Sequence, residues 1–227
     1  MKAATDLSNG GGFDVAICRK ADDLTPARER LGACDRLVVE SYVPIRRSPC
    51  FHYAVMADGS SRYLGFADQE IDANGRYRGN WIELGSTLPA EVIDIGMAVV
   101  NRSAVLGCRG LLGIDIVETE DARWFVVDLN FRVNGSTTAV LLAPAIQREL
   151  GQCYLHLRSF ACEAGFAQLV SVARSALRTG KLIPLSAFHA EVAGYSGQPS
   201  RLTALVVGQS RAETQRIETE LAAAGLV

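Results

Sequence analysis

The stretch WFVVDLNFRVNGSTTAV, which runs from Trp124 to Val140, joins an apolar run to a set of polar side chains. Asp128, Asn130 and Arg132 alternate with apolar residues, and side chains two apart lie on the same face of a β-strand. The flanking residues are apolar on both faces, which predicts a strand covered by other parts of the chain. A covered acid and a covered cation need a partner or a ligand. An amphipathic strand with a solvated polar face is the alternative.

The segment before it, GLLGIDIV at residues 110–117, is typical of a partner strand, and the charged residues ETEDAR separate the two. A hairpin through that turn places Asp115 beside Asp128 and Asn130. Two carboxylates and an amide oxygen are hard ligands of the kind that Mg²⁺ takes together with water and substrate phosphates. The guanidinium of Arg132 on the same face suits a phosphate or a carboxylate held through two hydrogen bonds.

A glycine-rich stretch near the start of the chain, LSNGGGFDV, is a second candidate. The backbone N–H groups of Gly10, Gly11 and Gly12 can wrap around phosphate oxygens, and Lys2 can add a cation that faces the phosphates. On this evidence alone a plain hairpin loop is favoured, because three glycines without a longer motif are a weak signal. A surface position is the alternative for Lys2.

The stretch VVESYVP is a third candidate, in which a strand ends at Glu40 and an extended segment follows. Such a segment can present edge backbone groups to a flat base. An ordinary edge strand is the default interpretation, so this stretch alone indicates little.

Composition narrows the class of protein. The chain has 227 residues, is 48% hydrophobic and has a net charge of −2, which is ordinary globular composition with room for a core. We find no basic run that would indicate nucleic acid, no apolar stretch long enough to span a membrane and no export signal. Six cysteines without CxxC pairs favour free thiols in the cytoplasm over zinc. Three scattered histidines and the absence of GxSxG leave a hydrolase triad without support.

Periodicity and turn signals predict α+β organisation, because hairpins are interleaved with helices rather than with parallel strands. The predicted elements are a strand in FDVAICRK, a helix from Thr25 to Gly32, a strand from Leu37 to Ile45, a hairpin around Asp58-Gly59, a polar loop from Asn74 to Trp81, helices over Leu88–Leu106, Ala139–Gly151 and Phe160–Arg178, a linker from Ser186 to Pro199, and a final strand and helix.

The order of these pieces resembles the ATP-grasp superfamily of carboxylate–amine ligases, and within it the sequence looks most like the peptide-ligase branch. A lysine strand, a glycine-rich loop, a strand ending in Glu, a long helix and then Asp and Asp-x-Asn-x-Arg follow one another from Lys2 to about Leu150. The family's signature near the metal is usually Glu-x-Asn-Pro-Arg, and here it is DLNFR. The resemblance implies two antiparallel α+β subdomains that sandwich a nucleotide, truncated at the N-terminus, with a small C-terminal β-α appendage. The implied divisions are a partial lid at residues 1–43, a metal-binding and catalytic subdomain at 44–151, and an extension at 152–227.

The same resemblance implies ATP and Mg²⁺ as cofactors and a role for each candidate residue. Asp128 would bridge two metals, Asn130 would hold the second and Asp115 the first, while Arg132 would steady the transferring phosphoryl group. The residues expected to bind the nucleotide are Lys2 at the α- and β-phosphates, Ser8, Gly10, Gly11 and Gly12 over the triphosphate, and Glu40, Ser41, Tyr42 and Val43 as the adenine hinge.

The function implied is an Mg-ATP-dependent ligase that joins a small-molecule carboxylate to an amine through an acyl phosphate. Departures from the family pattern are Asp128 in place of Glu, Phe131 in place of Pro, and Arg46 and Arg47 where a ribose-binding acid is usual. Strands that usually precede the Lys2 strand are also missing. A non-catalytic nucleotide-binding module, a fragment that needs a separate N-terminal partner, a homodimer, and an unrelated α+β protein that binds a small anion therefore stay open.

Overall fold

The computed structural model describes residues 1–4, 15–32, 34–72, 76–195 and 197–227. Within them the chain forms one large antiparallel sheet, a short two-stranded sheet and five α-helices. The strands are β1 (Lys2–Ala3), β2 (Leu37–Val38), β3 (Ile45–Arg47), β4 (Pro49–Val55), β5 (Ser61–Ile71), β6 (Tyr77–Glu83), β7 (Gly110–Thr119), β8 (Trp124–Asn130), β9 (Tyr154–Cys162), β10 (Leu182–Phe188) and β11 (Ser200–Gly208). The helices are α1 (Leu24–Arg30), α2 (Ala90–Val105), α3 (Thr137–Leu150), α4 (Phe166–Arg178) and α5 (Arg211–Ala223).

The large sheet runs in the order β10-β11-β9-β6-β5-β4-β7-β3, and β8 pairs with β7 outside this path. Every pairing in it is antiparallel. The α+β prediction is therefore confirmed. Strands from residues 152–227 continue the same sheet, because β9 pairs with β6.

Helix α2 covers one face of the central strands, where Phe51, Tyr53 and Ile114 are fully buried. Gly96 allows this close approach, because a Cβ at that position would overlap the Tyr53 hydroxyl. Residues of β4 that alternate with Phe51 and Tyr53 point to the opposite face. That opposite face carries the start of α3 and the polar residues described below.

Three predicted elements are wrong. The predicted helix Phe160–Arg178 begins as strand β9 and turns helical only at Phe166, because β9 fills the gap between β6 and β11. The predicted loop Asn74–Trp81 contains the start of β6, which is largely buried although its sequence is polar. The predicted linker from Ser186 to Pro199 begins inside β10.

The N-terminal elements are shorter than predicted. The segment FDVAICRK contributes one described bridge, between Val15 and Lys2, and a 3-10 turn follows at Ala21–Asp23. The predicted strand Leu37–Ile45 is split into β2 and β3 by a stretch without ladder pairing. None of the helices that the structure describes is long and apolar enough to cross a membrane.

Candidate functional site

The hairpin β7–β8 brings the predicted metal-binding residues together. Asp115 lies directly opposite Asp128 in the antiparallel ladder, and Gly113 lies opposite Asn130. The register then shifts, so that Ile116 faces Val126 and Val127 has no counterpart on β7. This extra residue forms a β-bulge, a feature that re-aims side chains and is common beside active sites.

The polar side chains at the end of β8 are linked by hydrogen bonds. The Asn130 amide donates to Asp128 Oδ2 over 3.1 Å, and the Arg132 guanidinium donates to Asn130 Oδ1 over 2.8 Å. The Leu129 backbone N–H donates to Asp128 Oδ1 over 2.9 Å. Asp128, Asn130 and Arg132 thus lie on one face, as their alternation predicts.

Asp115 differs from the other members of the cluster in the burial of a carboxylate oxygen. Its Oδ1 atom is buried and has no hydrogen-bond partner among the described residues. Burial raises the pKa of Asp115 above its ordinary value, and the charge of Asp128 adds to the rise, while hydrogen bonds between this carboxyl group and Cys50 and Gln69, and the charge of Arg132, oppose it. An unpaired buried carboxylate oxygen is costly, and a cation beside it would remove that cost.

These observations test the fit of a divalent cation. No three Asp, Glu, His or Cys side chains converge within the described ranges, so the protein ligands would be the two carboxylates and the Asn130 amide. Such a set suits Mg²⁺, which keeps water and phosphate oxygens in its remaining positions. Asn130 Oδ1 accepts one hydrogen bond, from Arg132, and an amide oxygen has a second lone pair that can face a cation.

The prediction that the strand is covered is wrong. Val127 is 51% exposed and Leu129 is 47% exposed. The reason is topological, because β8 pairs only with β7 in the described part of the chain and lies at the edge of the sheet. Asp128 is therefore exposed, and Asn130 and Asp115 are partly exposed, although the Oδ1 atom of Asp115 itself is buried.

The N-terminal candidates lie around β1 and β2. Lys2 pairs with Val38 across this small ladder, and its Nζ atom lies 2.6 Å from Glu40 Oε2, with both side chains about half exposed. The segment after this ladder, which contains Glu40, Ser41, Tyr42 and Val43, forms no strand. Tyr42 lies under the Arg19 guanidinium, 4.9 Å from the ring centroid. Ser8, Gly10, Gly11 and Gly12 lie outside the described residues.

Arg46 and Arg47 have protein partners. Arg46 contacts the buried Glu118 over 2.7 Å. Arg47 donates to both oxygens of Asp68, each over 2.6 Å, and this hydrogen bonding raises its pKa.

The sequence did not reveal a buried polar cluster beside Asp115. It consists of Cys50 and His52 on β4, and Asn134, Ser136 and Thr137 at the start of α3. His52 is 1% exposed, and burial lowers its pKa to about 4, so the imidazole is neutral. The signal available was the small polar run NGSTT, but its partners are distant in sequence.

Comparisons with known proteins identify the fold and the family. A family model described as "L-aspartate--L-methionine ligase, ATP grasp" matches residues 1–130. The ADP complex of N5-carboxyaminoimidazole ribonucleotide synthetase (purK) superposes with a TM-score of 0.65 at 14% identity over 97% of this chain. The ATP complex of the Aspergillus clavatus carboxyaminoimidazole ribonucleotide synthase gives a TM-score of 0.62 at 14% identity over 95% of this chain.

A third solved structure is the biotin carboxylase domain dimer of Hydrogenobacter thermophilus 2-oxoglutarate carboxylase, in complex with MgADP, ADP and bicarbonate. It gives a TM-score of 0.56 at 14% identity over 88% of this chain and 51% of that domain. The chain spans 59% of the length of each of the first two structures. At these identities the structures show a shared fold, and the family match extends over more than half of the chain. The chain belongs to the ATP-grasp family described as L-aspartate–L-methionine ligase.

Proposed function

We propose that the chain carries the nucleotide-binding and metal-binding part of an ATP-dependent ligase that joins a carboxylate to an amine. The observation that carries the proposal is the meeting of Asp115, Asp128, Asn130 and Arg132 at one end of the β7–β8 hairpin. Its support is a family match that runs from the Lys2 strand to Asn130.

Asp115, Asp128 and Asn130 would hold Mg²⁺, which neutralises charge on the triphosphate during phosphoryl transfer. The carboxylate substrate attacks the γ-phosphorus and ADP leaves, which produces an acyl phosphate. The amine nitrogen then attacks the acyl carbon, and inorganic phosphate leaves. The protein positions the two substrates and offsets charge, which are the main contributions available to it in phosphoryl transfer.

Arg132 acts on the anion that develops in these steps. Its guanidinium is exposed and, among the described residues, donates to the Asn130 amide oxygen and weakly to the Val133 carbonyl, so it can turn to a phosphoryl oxygen at small cost. Lys2 reaches the α- and β-phosphates, and Glu40, Ser41, Tyr42 and Val43 hold the adenine. Ser8, Gly10, Gly11 and Gly12, which lie outside the described residues, are included in the nucleotide-binding set on the sequence resemblance alone.

The description of the matched family names two amino acids, L-aspartate and L-methionine. We therefore expect a free amino acid as the carboxylate donor and a second one as the amine. The neighbouring structures that contain ADP or ATP support the nucleotide.

The test is release of inorganic phosphate from ATP with pairs of L-amino acids, starting from aspartate and methionine, with the dipeptide identified by mass spectrometry. Asp128→Asn should abolish phosphate release. Glu120→Gln, an exposed residue in the turn of the same hairpin, is the matched control and should retain it.

A non-catalytic nucleotide-binding module is the second candidate. It is favoured by Asp128, which is one methylene shorter than the Glu that is usual at this position of the family signature. Mg²⁺-dependent nucleotide binding without phosphate release for any amino-acid pair would favour this candidate over the ligase.

A further inference from the structure

We propose that Asn134 is a positioning residue, which fastens the loop after β8 to β4 and β7 and thereby fixes where Asn130 and Arg132 point. This inference rests on the proposed function, because its consequence is the affinity for Mg²⁺. It concerns a residue outside the set that the family signature DLNFR contains.

Both ends of the Asn134 amide are engaged. Its Nδ2 donates to the Cys50 sulfur over 3.2 Å, and its Oδ1 accepts from the Thr137 hydroxyl over 2.9 Å and from the Ser136 hydroxyl over 3.4 Å. The backbone N–H of Asn134 donates to Thr137 Oγ1 over 2.9 Å. This pattern ties the loop to β4 on one side and to the first turn of α3 on the other.

Gly113 provides the space in which Asn134 sits. A Cβ at position 113 would overlap the Asn134 amide nitrogen and lie 3.3 Å from the Cys50 sulfur. Gly113 does not have a positive φ, so the backbone does not require glycine there. The room for Asn134 therefore explains this glycine, which lies opposite Asn130 on β8 and opposite His52 on β4.

His52 supports the two hydroxyl groups that hold Asn134. Its Nε2 lies 3.0 Å from Ser136 Oγ, and its Nδ1 lies 3.4 Å from Thr137 Oγ1. Ser136 and Thr137 are 3% and 2% exposed. A neutral imidazole has one donor and one acceptor nitrogen, so Nδ1–H can donate to Thr137 Oγ1, which keeps its own proton for Asn134 Oδ1. Ser136 then has one proton to share between His52 Nε2 at 3.0 Å and Asn134 Oδ1 at 3.4 Å.

The loop is thus fixed at both ends with three residues between. The β7–β8 ladder holds Asn130, the amide contacts hold Asn134, and Phe131, Arg132 and Val133 bridge them. The Arg132 backbone N–H donates to the Asn130 carbonyl over 2.8 Å. In so short a bridge, release of Asn134 moves Arg132 and, through their hydrogen bond, the Asn130 amide.

The experiment compares Asn134→Ala, Gly113→Ala and the double variant with Gly135→Ala as control. Gly135 is in the same loop, and an added Cβ there meets only the Tyr77 hydroxyl at 3.7 Å. Asn134→Ala and Gly113→Ala should each weaken Mg²⁺ binding in the presence of saturating ADP by ~10-fold or more, the range found for residues that orient metal ligands. Gly135→Ala should bind Mg²⁺ as the parent does.

The double variant separates a specific clash from general damage. If Gly113→Ala acts by displacing Asn134, its effect on Mg²⁺ affinity should vanish once the Asn134 side chain is gone, so the double variant should match Asn134→Ala. Residues in direct contact are expected to show such non-additivity. Two losses that simply add would contradict the proposal.

A second readout does not require nucleotide. Trypsin cleavage after the exposed Arg132, followed by mass spectrometry, should accelerate in Asn134→Ala and Gly113→Ala, while cleavage after Arg178 in α4 stays unchanged. Unchanged cleavage after Arg132 would overturn the proposal, and so would faster cleavage with parental Mg²⁺ affinity. If the parent chain shows no Mg²⁺-dependent binding, the proposed function fails, and the cleavage rate alone decides whether Asn134 holds the loop.

Discussion

Replacing Asp115 by asparagine should stabilise the metal-free protein and remove its response to Mg²⁺. The Oδ1 atom of the Asp115 carboxylate is buried without a hydrogen-bond partner within the described residues, and Asp128 lies directly opposite. Without a cation, the folded state bears the cost of that burial and of the repulsion between the two carboxylates. Asparagine keeps the shape of the side chain and removes the charge.

The magnitude follows from the cost of an unsatisfied buried polar group, about 1–3 kcal/mol. Part of this cost stays with the amide, so we expect the free energy of unfolding to rise by about 1–2 kcal/mol, which corresponds to about 2–8 °C in Tm for a chain of this size. In the presence of Mg²⁺ and ADP the order reverses, because only the parent gains stability from binding.

The pH dependence has a definite sign. Burial raises the pKa of Asp115 in the folded state. Above that raised pKa the carboxyl group is ionised in both the folded and the unfolded state, and its burial lowers the free energy of unfolding of the parent. The penalty shrinks as the pH falls through the folded-state pKa and is absent below the ordinary aspartate value of 3.8. The advantage of Asp115→Asn should therefore be full at neutral pH and decline in acid.

Thermal denaturation by calorimetry, with and without Mg²⁺ and ADP, measures both effects, and Glu120→Gln should behave as the parent does in each. A metal-free Asp115→Asn protein that is less stable than the parent and still gains stability from Mg²⁺ would refute the reasoning.

Three further predictions concern the elements around the site. Burial lowers the pKa of His52 to about 4 from 6.5, so its neutral form contributes stability above pH 6.5 that is lost as the pH falls towards 4; between pH 7.5 and 5 this loss is about 2 kcal/mol. Denaturant unfolding at both pH values should show that loss in the parent but not in His52→Gln, and an equal loss in both would contradict it. Gly96→Ala should lower the free energy of unfolding by about 1–2 kcal/mol, because overlap with Tyr53 outweighs the gain in helix propensity; a more stable variant in urea would show that α2 can move away. Lys2→Ala should weaken ADP binding whether or not Mg²⁺ is present, whereas Lys181→Ala, which removes a distant surface pair with Glu220, should not; equal affinities by calorimetry would place Lys2 outside the nucleotide site.

The sequence predicted the β7–β8 hairpin because alternation and a charged turn are local signals. It also predicted that Asp115 meets Asp128, since a hairpin leaves few registers open. It missed β6 because Asn80 and Trp81 are buried by neighbouring strands rather than by their own hydrophobic pattern. Tertiary context of this kind overrides local propensity.

The buried polar cluster could not be predicted for a similar reason. His52 and Ser136 are 84 residues apart, and neither lies in a pattern that requires the other. The need for glycine at position 113 is likewise set by a side chain across the fold and not by the backbone. The exposure of β8 was missed because an apolar strand at the edge of a sheet has the same sequence as a buried one.

The most direct measurement is a calorimetric titration of ADP into the parent chain, Asp128→Asn and Glu120→Gln, each with saturating Mg²⁺ and with none. The parent and Glu120→Gln should bind ADP more tightly with Mg²⁺ than without it, and Asp128→Asn should lose that difference while retaining its fold by circular dichroism. Equal affinities for the parent with and without Mg²⁺, or an Asp128→Asn variant that keeps the full difference, would contradict a metal site at the end of β7 and β8.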